Sequence, residues 1–189
     1  MAEFNLTAEP FLKGYHRQFD GVGLVEAVDL RIASFACPAG APAQLEAQAK
    51  TGWGIELPAP GASSGSLSNQ PLVLGMSPDQ WFALFAGQNG YANDKLLSVL
   101  GATAYITDQT HNWVALKISG KLARTALERI CPIDLDPNRF VPGTVARTLM
   151  EHLGCIIFAA GEDEYLLLSA SSSANSFLHA VEQSIHNIL

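Results

Sequence analysis

From residue 22 to 37 apolar and polar positions alternate, with Val28, Leu30 and Ile32 on one face and Asp29 and Arg31 on the other. This period predicts a half-buried first strand. Upstream, residues 1–20 scatter Phe4, Phe11, Tyr15 and Phe19 among polar residues without a sustained period, and this stretch reads as an N-terminal arm. A short helix is expected over about residues 41–51. Pro42 suits a first turn that needs no N–H, Leu45 and Ala49 share a face, and Gly52 can end the helix in a left-handed residue. Residues 58–70 are rich in Pro, Gly, Ser and Ala and offer little to bury, so a flexible surface loop is expected. Over residues 71–85 two patterns compete. Ser77-Pro78-Asp79-Gln80 has the spacing of a helix capping box, whereas an aromatic-rich run after a Pro-Asp turn suits a hairpin, and the hairpin is the better fit. Asn93-Asp94 is expected to cap a helix that bears Leu96, Leu97 and Leu100 and is stopped by Gly101.

The second half repeats this order. Residues 102–107 and 114–118 pattern as paired strands around the polar turn Asp108-Gln109-Thr110-His111-Asn112. A helix follows with Leu122, Ala126, Leu127 and Ile130 inward, closed by Pro132. Residues 145–150, 153–160 and 165–169 read as a meander whose last turn is Gly161-Glu162-Asp163. A final helix starts near Ala174 and shows Phe177, Leu178, Val181, Ile185 and Ile188 at near-helical spacing. The series predicts an α+β fold, antiparallel sheets with packed helices on one side of each half. One domain is expected over residues 21–189, with halves of about 21–101 and 102–189.

Composition adds a hint of partners. Of 189 residues 48% are hydrophobic and 15% charged, so a core is well supplied. A mean hydropathy of +0.16 suggests apolar surface left over for another chain, and self-association of the isolated one. With 11 Lys and Arg against 18 Asp and Glu the net charge is −7, and no basic run exists, which argues against nucleic acid. The start Met1-Ala2-Glu3-Phe4-Asn5 lacks the regions of a signal peptide, and the purest apolar run, residues 155–160, is too short for a membrane span. A cytoplasmic protein is expected. Cys37, Cys131 and Cys155 make neither an even disulfide set nor a Cys-x-x-Cys pair, which fits a reducing compartment.

Few motifs carry chemistry. Gly61-Ala62-Ser63-Ser64-Gly65 matches G-x-S-x-G, but it lacks the flanking strand and helix that strain a nucleophilic serine. Gly120-Lys121 resembles the end of a phosphate loop, yet Ala115 stands where its first glycine should be. His179, Glu182 and His186 share a face of the last helix, as zinc ligands would, but without HExxH or Cys-rich context they read as solvated polar residues. Cys131 and Cys155 sit among isoleucines, without the electropositive neighbour that activates a thiol. No catalytic residue and no metal are expected. The turn Asp108-Gln109-Thr110-His111 is the densest polar group, and suits either a ligand or a turn satisfied by Asp108 bonding nearby N–H groups. Arg147, on an otherwise apolar strand, must be paired if it points inward; otherwise it faces water or another subunit.

Specific residues add what periodicity does not. Asp108-Gln109, Ile118-Ser119-Gly120 with Ala123-Arg124, and Cys131-Pro132-Ile133-Asp134-Leu135 come in order, followed by Phe140, Gly143, Ala146-Arg147-Thr148-Leu149 and Ser176-Phe177. This series resembles the gamma subunit family of heterotetrameric sarcosine oxidase. Gly23-Leu24-Val25-Glu26 and Ser77-Pro78-Asp79-Gln80-Trp81 extend it, so that it spans about residues 21–189. The small-residue loop at 59–69 and Thr110-His111-Asn112 depart from the family pattern. The resemblance implies a fold similar to the folate-binding domain of aminomethyltransferases, with two ferredoxin-like halves. It implies a non-catalytic subunit of a complex that demethylates sarcosine oxidatively to glycine, with one-carbon transfer to tetrahydrofolate or formaldehyde release, and hydrogen peroxide as a product. The implied partners are alpha, beta and delta subunits; FAD, FMN and NAD are expected in alpha and beta, zinc in delta, and none in this chain. Phe4, Phe11, Tyr15 and Trp113 are the candidate anchors for such contacts, since aromatic residues commonly anchor interfaces. The alternative is a free-standing folate or one-carbon binding protein of the same fold, with Asp108 or Arg147 holding the pterin or the glutamate tail.

Overall fold

A computed structural model describes residues 9–68, 70–87 and 90–189. The elements before the midpoint are β1 (His16–Phe19), β2 (Val22–Glu26), β3 (Leu30–Ala36), α1 (Pro42–Trp53), β4 (Ser63–Ser64), β5 (Leu72–Ser77), β6 (Gln80–Ala86) and α2 (Ala92–Leu100). Then come β7 (Tyr105–Asp108), β8 (Trp113–Ser119), α3 (Ala123–Glu128), β9 (Val145–Met150), β10 (Leu153–Gly161), β11 (Glu164–Ala170) and α4 (Ala174–His186). The strands form a six-stranded sheet in the order β1-β2-β8-β11-β10-β9 and a five-stranded sheet in the order β4-β5-β6-β3-β7. All pairings within them are antiparallel.

Because successive strand residues point to opposite faces, each sheet offers two apolar sides. One side of the larger sheet, with Leu116, Ile118, Ile157 and Leu167, packs on α3 and α4 through Ala126, Leu127, Phe177 and Val181. The smaller sheet lays Phe35, Val73 and Ala83 against Leu45 and Ala49 of α1 and Leu96 and Leu100 of α2. The two remaining faces meet, Ile32, Leu74, Phe82 and Leu84 from one and Ile156, Phe158, Leu166 and Leu168 from the other. The layers therefore run helix, sheet, sheet, helix, with three apolar seams. This is the α+β architecture expected from sequence, and the 71–86 hairpin forms as expected, Leu72 pairing with Leu84 and Leu74 with Phe82.

Several boundaries differ from the sequence reading. The single strand expected over residues 22–37 is two strands in different sheets, with the chain turning between them at residues 27–29. Alternation continues in phase across the turn, so period alone does not reveal it, and Val28 is 37% exposed where the pattern placed it inward. Likewise β7 and β8 do not pair with each other: β7 joins β3, and β8 lies between β2 and β11. The polar turn passes the chain from one sheet to the other, with the Gln109 N–H bonded to Ile32 O at 2.8 Å. A division at residues 101/102 thus gives way to an exchange of strands, since the larger sheet draws on residues 16–26 and 113–170 and the smaller on 30–108. Residues 16–19, assigned to the arm, are β1, and the buried side chains of Leu12 and Phe19 enter the helix-side core.

The small-residue loop is also anchored more firmly than its composition predicts. Trp81 Nε1 donates to Pro58 O at 2.9 Å, Gly61 N–H to Gly75 O at 3.0 Å, and β4 pairs with β5. Backbone passes so close to Gly75 that a Cβ there would sit 2.1 Å from Ala59 O. At the end of α1 it is Gly54, with φ 70°, that takes the left-handed position expected of Gly52. Asn93 and Asp94 lie inside α2, whose N-cap position is held by Tyr91 without a side-chain bond.

Candidate functional site

The polar turn after β7 is built by its own side chains. Asp108 Oδ1 accepts the Thr110 N–H at 2.9 Å, closing the turn over two residues. Thr110 Oγ1 accepts the Ile32 N–H at 3.1 Å and lies 3.2 Å from Ile32 O, to which it can donate. Gln109 bridges outward, donating to Ser34 Oγ at 3.3 Å and accepting from Asn112 Nδ2 at 2.7 Å. These bonds seat the turn on β3, and the first helical turn of α2 stands opposite. Between them opens a cleft of about 730 Å³ lined by Arg31, Tyr91, Asn93, Asp94, Asp108 and His111, among others. Two carboxylates, Asp94 and Asp108, line it together with Arg31 and His111. Asn93 Oδ1 is buried and has no hydrogen-bond partner among the described residues. Arg31 is engaged by other groups of the chain.

A second, smaller hollow of about 270 Å³ shares Arg31, Thr110 and His111 with the first and continues past Phe11, Val28 and Trp113. Trp113 lies edge-on to Phe82 with 5.6 Å between ring centroids, half-buried against the seam between the sheets, and its Nε1 is buried without a partner among the described residues. Phe11 is 42% exposed at the rim. Tyr15 instead turns inward: its hydroxyl bonds Glu182 of α4, which also pairs with Arg17 at 3.2 Å. Burial, and then the Glu182 carboxylate, push the Tyr15 phenol up to about 12. Phe4 lies outside the described residues. Arg147 is exposed on β9, its guanidinium carbon 5.9 Å from the Phe82 centroid, and it does not line the Asp108 cleft. Asp108 and Arg147, the alternatives for holding a pterin or its glutamate tail, are thus at separate places.

The remaining motifs serve the fold. Ser63 Oγ donates to Gly143 O at 2.8 Å, and a Cβ on Gly65 would meet Pro71 O at 2.0 Å, so the G-x-S-x-G glycines and serine fasten a loop. Gly120 has φ 113° and a Cβ there would lie 2.4 Å from Gly21 O, so it lets β8 pass the β1–β2 turn. On α4, Glu182 is committed to Tyr15 and Arg17 while His186 meets the Phe19 ring edge-on at 5.3 Å. Among the described residues no cluster of His, Cys, Asp or Glu is arranged to hold a metal. Cys155 is buried, and that burial pushes its thiol well above the ordinary range. Glu26 appears in sequence only as the end of the Gly23–Glu26 match, with no role assigned, yet it is only 6% exposed and accepts the N–H groups of Leu12 at 2.9 Å and Gly14 at 2.8 Å. Asn93 was read as a cap, and nothing in an Asn near a helix start distinguishes that role from a cleft wall. Among the described residues no helix is long and apolar enough to cross a membrane.

Comparison with known proteins places this arrangement. A curated sarcosine oxidase subunit gamma from Corynebacterium sp. (strain U-96) is 29% identical over 128 residues, covering 67% of this chain and 62% of that protein. One from Arthrobacter sp. is 26% identical over 96 residues, covering 51% of this chain and 47% of the relative. The matched stretches therefore span about half to three-fifths of those relatives' lengths. Among solved structures, a chain of the heterotetrameric sarcosine oxidase from Corynebacterium sp. U-96, in complex with pyrrole 2-carboxylate, superposes with a TM-score of 0.77 at 24% identity, covering 88% of this chain and 84% of that one. The glycine cleavage system aminomethyltransferase T from Bartonella henselae gives a TM-score of 0.61 at 11% identity, over 85% of this chain and 45% of that one, so the fold is shared with aminomethyltransferases. The family model described as sarcosine oxidase, gamma subunit family matches residues 37–185, and the chain belongs to that family.

Proposed function

We propose that this chain is a non-catalytic gamma subunit of a sarcosine oxidase complex, supplying folded surface for assembly while the redox and one-carbon chemistry resides in partner chains. The family match over residues 37–185 carries this reading. The site geometry supports it: Asp108 closes its own turn, Glu182 and Glu26 tie elements together, and Cys155 is an inert core thiol. On this reading the partners are alpha and beta subunits that hold FAD, FMN and NAD, and a delta subunit that holds zinc. The complex converts sarcosine to glycine in the cytoplasm, with tetrahydrofolate as one-carbon acceptor. The purified chain alone is expected to be colourless and unable to oxidise sarcosine. Flavin absorbance that survives purification, or peroxide production by the chain alone, would overturn the proposal.

The Asp108 cleft favours a second reading, a folate or one-carbon ligand held by this chain, because the cleft joins carboxylates with the Tyr91 ring. Calorimetry with tetrahydrofolate distinguishes the two. Saturable binding that is lost in Asp108→Ala puts the second reading first, and heat indistinguishable from dilution removes it. Arg147→Ala is expected to leave any such binding unchanged, because Arg147 does not line that cleft.

A further inference from the structure

The smaller sheet ends in a strand whose outer edge is unpaired. Among the described residues β7 has β3 on one side and no strand on the other. In an antiparallel ladder the backbone groups of alternate residues face the same neighbour. Gln109 donates to Ile32 O, so Thr107 and Tyr105 also face β3, and the N–H and C=O groups of Ile106 and Asp108 point away from the sheet. Proteins usually blunt such an edge with charged side chains, Pro or brevity. The other three edges follow that rule, since β1 carries Arg17, β9 carries Arg147 and β4 has two residues. Tyr105-Ile106-Thr107-Asp108 is as short as β1 and its one charge, Asp108, lies at its end; it has no basic residue and no proline, and Tyr and Ile are strong strand formers.

Apolar side chains flank this edge on both faces. Ile106 packs towards the helix-side core, so Tyr105 projects from the opposite face, where it is 70% exposed. On the helix side, Val99 of α2 meets Gly52 of α1, and Lys95 lies 5.3 Å over the Phe85 ring of β6. The helical period then turns Asn93 and Leu97 towards β7, and Leu97 is 51% exposed. At the far end of the edge lies the cleft with Asp94, Asp108 and Asn93 Oδ1, which is buried without a hydrogen-bond partner among the described residues. A buried acceptor without a donor is costly, and two carboxylates beside it favour a cation.

We infer that β7 is a docking edge for an extended segment of a partner subunit, which adds a strand to the smaller sheet and places a Lys or Arg side chain in the Asp94–Asp108 cleft. Strand addition draws its affinity from main-chain hydrogen bonds and its specificity from pockets for individual side chains. Here the bonds go to Ile106 and Asp108, the apolar contacts to Tyr105 and Leu97, and the cation to Asn93 and the two carboxylates. Arg31 and His111 also line the cleft, and Arg31 is engaged within the chain.

This inference rests on the proposed subunit role. The test is amide hydrogen exchange on the full chain, free and in the complex formed with its co-expressed partner subunits. The amides of Ile106 and Asp108 are expected to exchange at least about ten-fold more slowly in the complex. Asp94→Lys and Tyr105→Lys, both at exposed or rim positions, are expected to weaken assembly about ten-fold or more while the free chain's melting temperature stays the same. A complex that forms with unprotected β7 amides overturns this inference alone. A chain that never associates with those subunits overturns both it and the subunit role. Protection of the same amides in a dimer of the free chain assigns the edge to a second copy and overturns the partner-strand inference.

Discussion

Replacing Glu26 with alanine removes two bonds at once. Its carboxylate is 6% exposed and holds the N–H groups of Leu12 and Gly14 at 2.9 and 2.8 Å, within a turn where Lys13 and Gly14 have φ of 58° and 73°. Hydrogen bonds to a charged group contribute about 1.5–3 kcal/mol each. Gly14 is exposed and its amide can turn to water, whereas the Leu12 bond is buried, so the second bond counts for less than the first. Glu26→Ala is then expected to cost about 2–4 kcal/mol. For a chain of this size that corresponds to a fall in Tm of about 5–15 °C. Urea denaturation measures the loss, and hydrogen exchange at Leu12 and Gly14 locates it. Because Leu12 and Phe19 belong to the helix-side core, loosening should reach β1 as well. A change below about 0.5 kcal/mol, the size of an ordinary surface substitution, would refute the reasoning.

Other expectations follow from the same kind of contact. Gly120→Ala forces a Cβ to 2.4 Å from Gly21 O at φ 113°, and should destabilise by about 2–4 kcal/mol, measured by urea denaturation. A wild-type curve would show that the β1–β2 turn can move aside. The Tyr15 phenol is raised from its ordinary 10 to about 12, so the folded state favours the neutral form. Its contribution is complete below pH 10 and is lost as pH rises towards 12, and Tyr15→Phe should flatten that part of the stability curve between pH 9 and 12. An equally steep decline in Tyr15→Phe would assign the alkaline loss to other groups.

What the sequence revealed depended on how far each pattern is local. The 153–170 strands and α4 show continuous periods bounded by clear turns, and both form where expected. The β2–β3 break was hidden because Leu24 and Leu30 stay in phase on either side of it, although they enter different cores. The paired-strand reading of β7 and β8 failed because two strands around a polar turn look alike whether they pair with each other or with distant partners. Asp108 could be placed on a turn, since its bond to Thr110 spans two residues, but the cleft wall at Asn93 depends on where α2 lies against β3. For Arg147 the sequence left open an inward, paired charge or one that faces water or another subunit; on the edge strand β9 it is exposed and rests over Phe82. Glu26 belongs to the Gly23–Glu26 match but gave no sign of a buried role, because an acid at a strand end usually faces solvent, and only the fold of residues 10–15 over it buries the carboxylate.

Native mass spectrometry of the chain co-expressed with the proposed alpha, beta and delta subunits is the most direct test of the subunit role. A single species containing one copy of this chain with each of the other three is the predicted result. A well-behaved monomer that never associates, beside a complete and active oxidase assembled without it, would contradict the account.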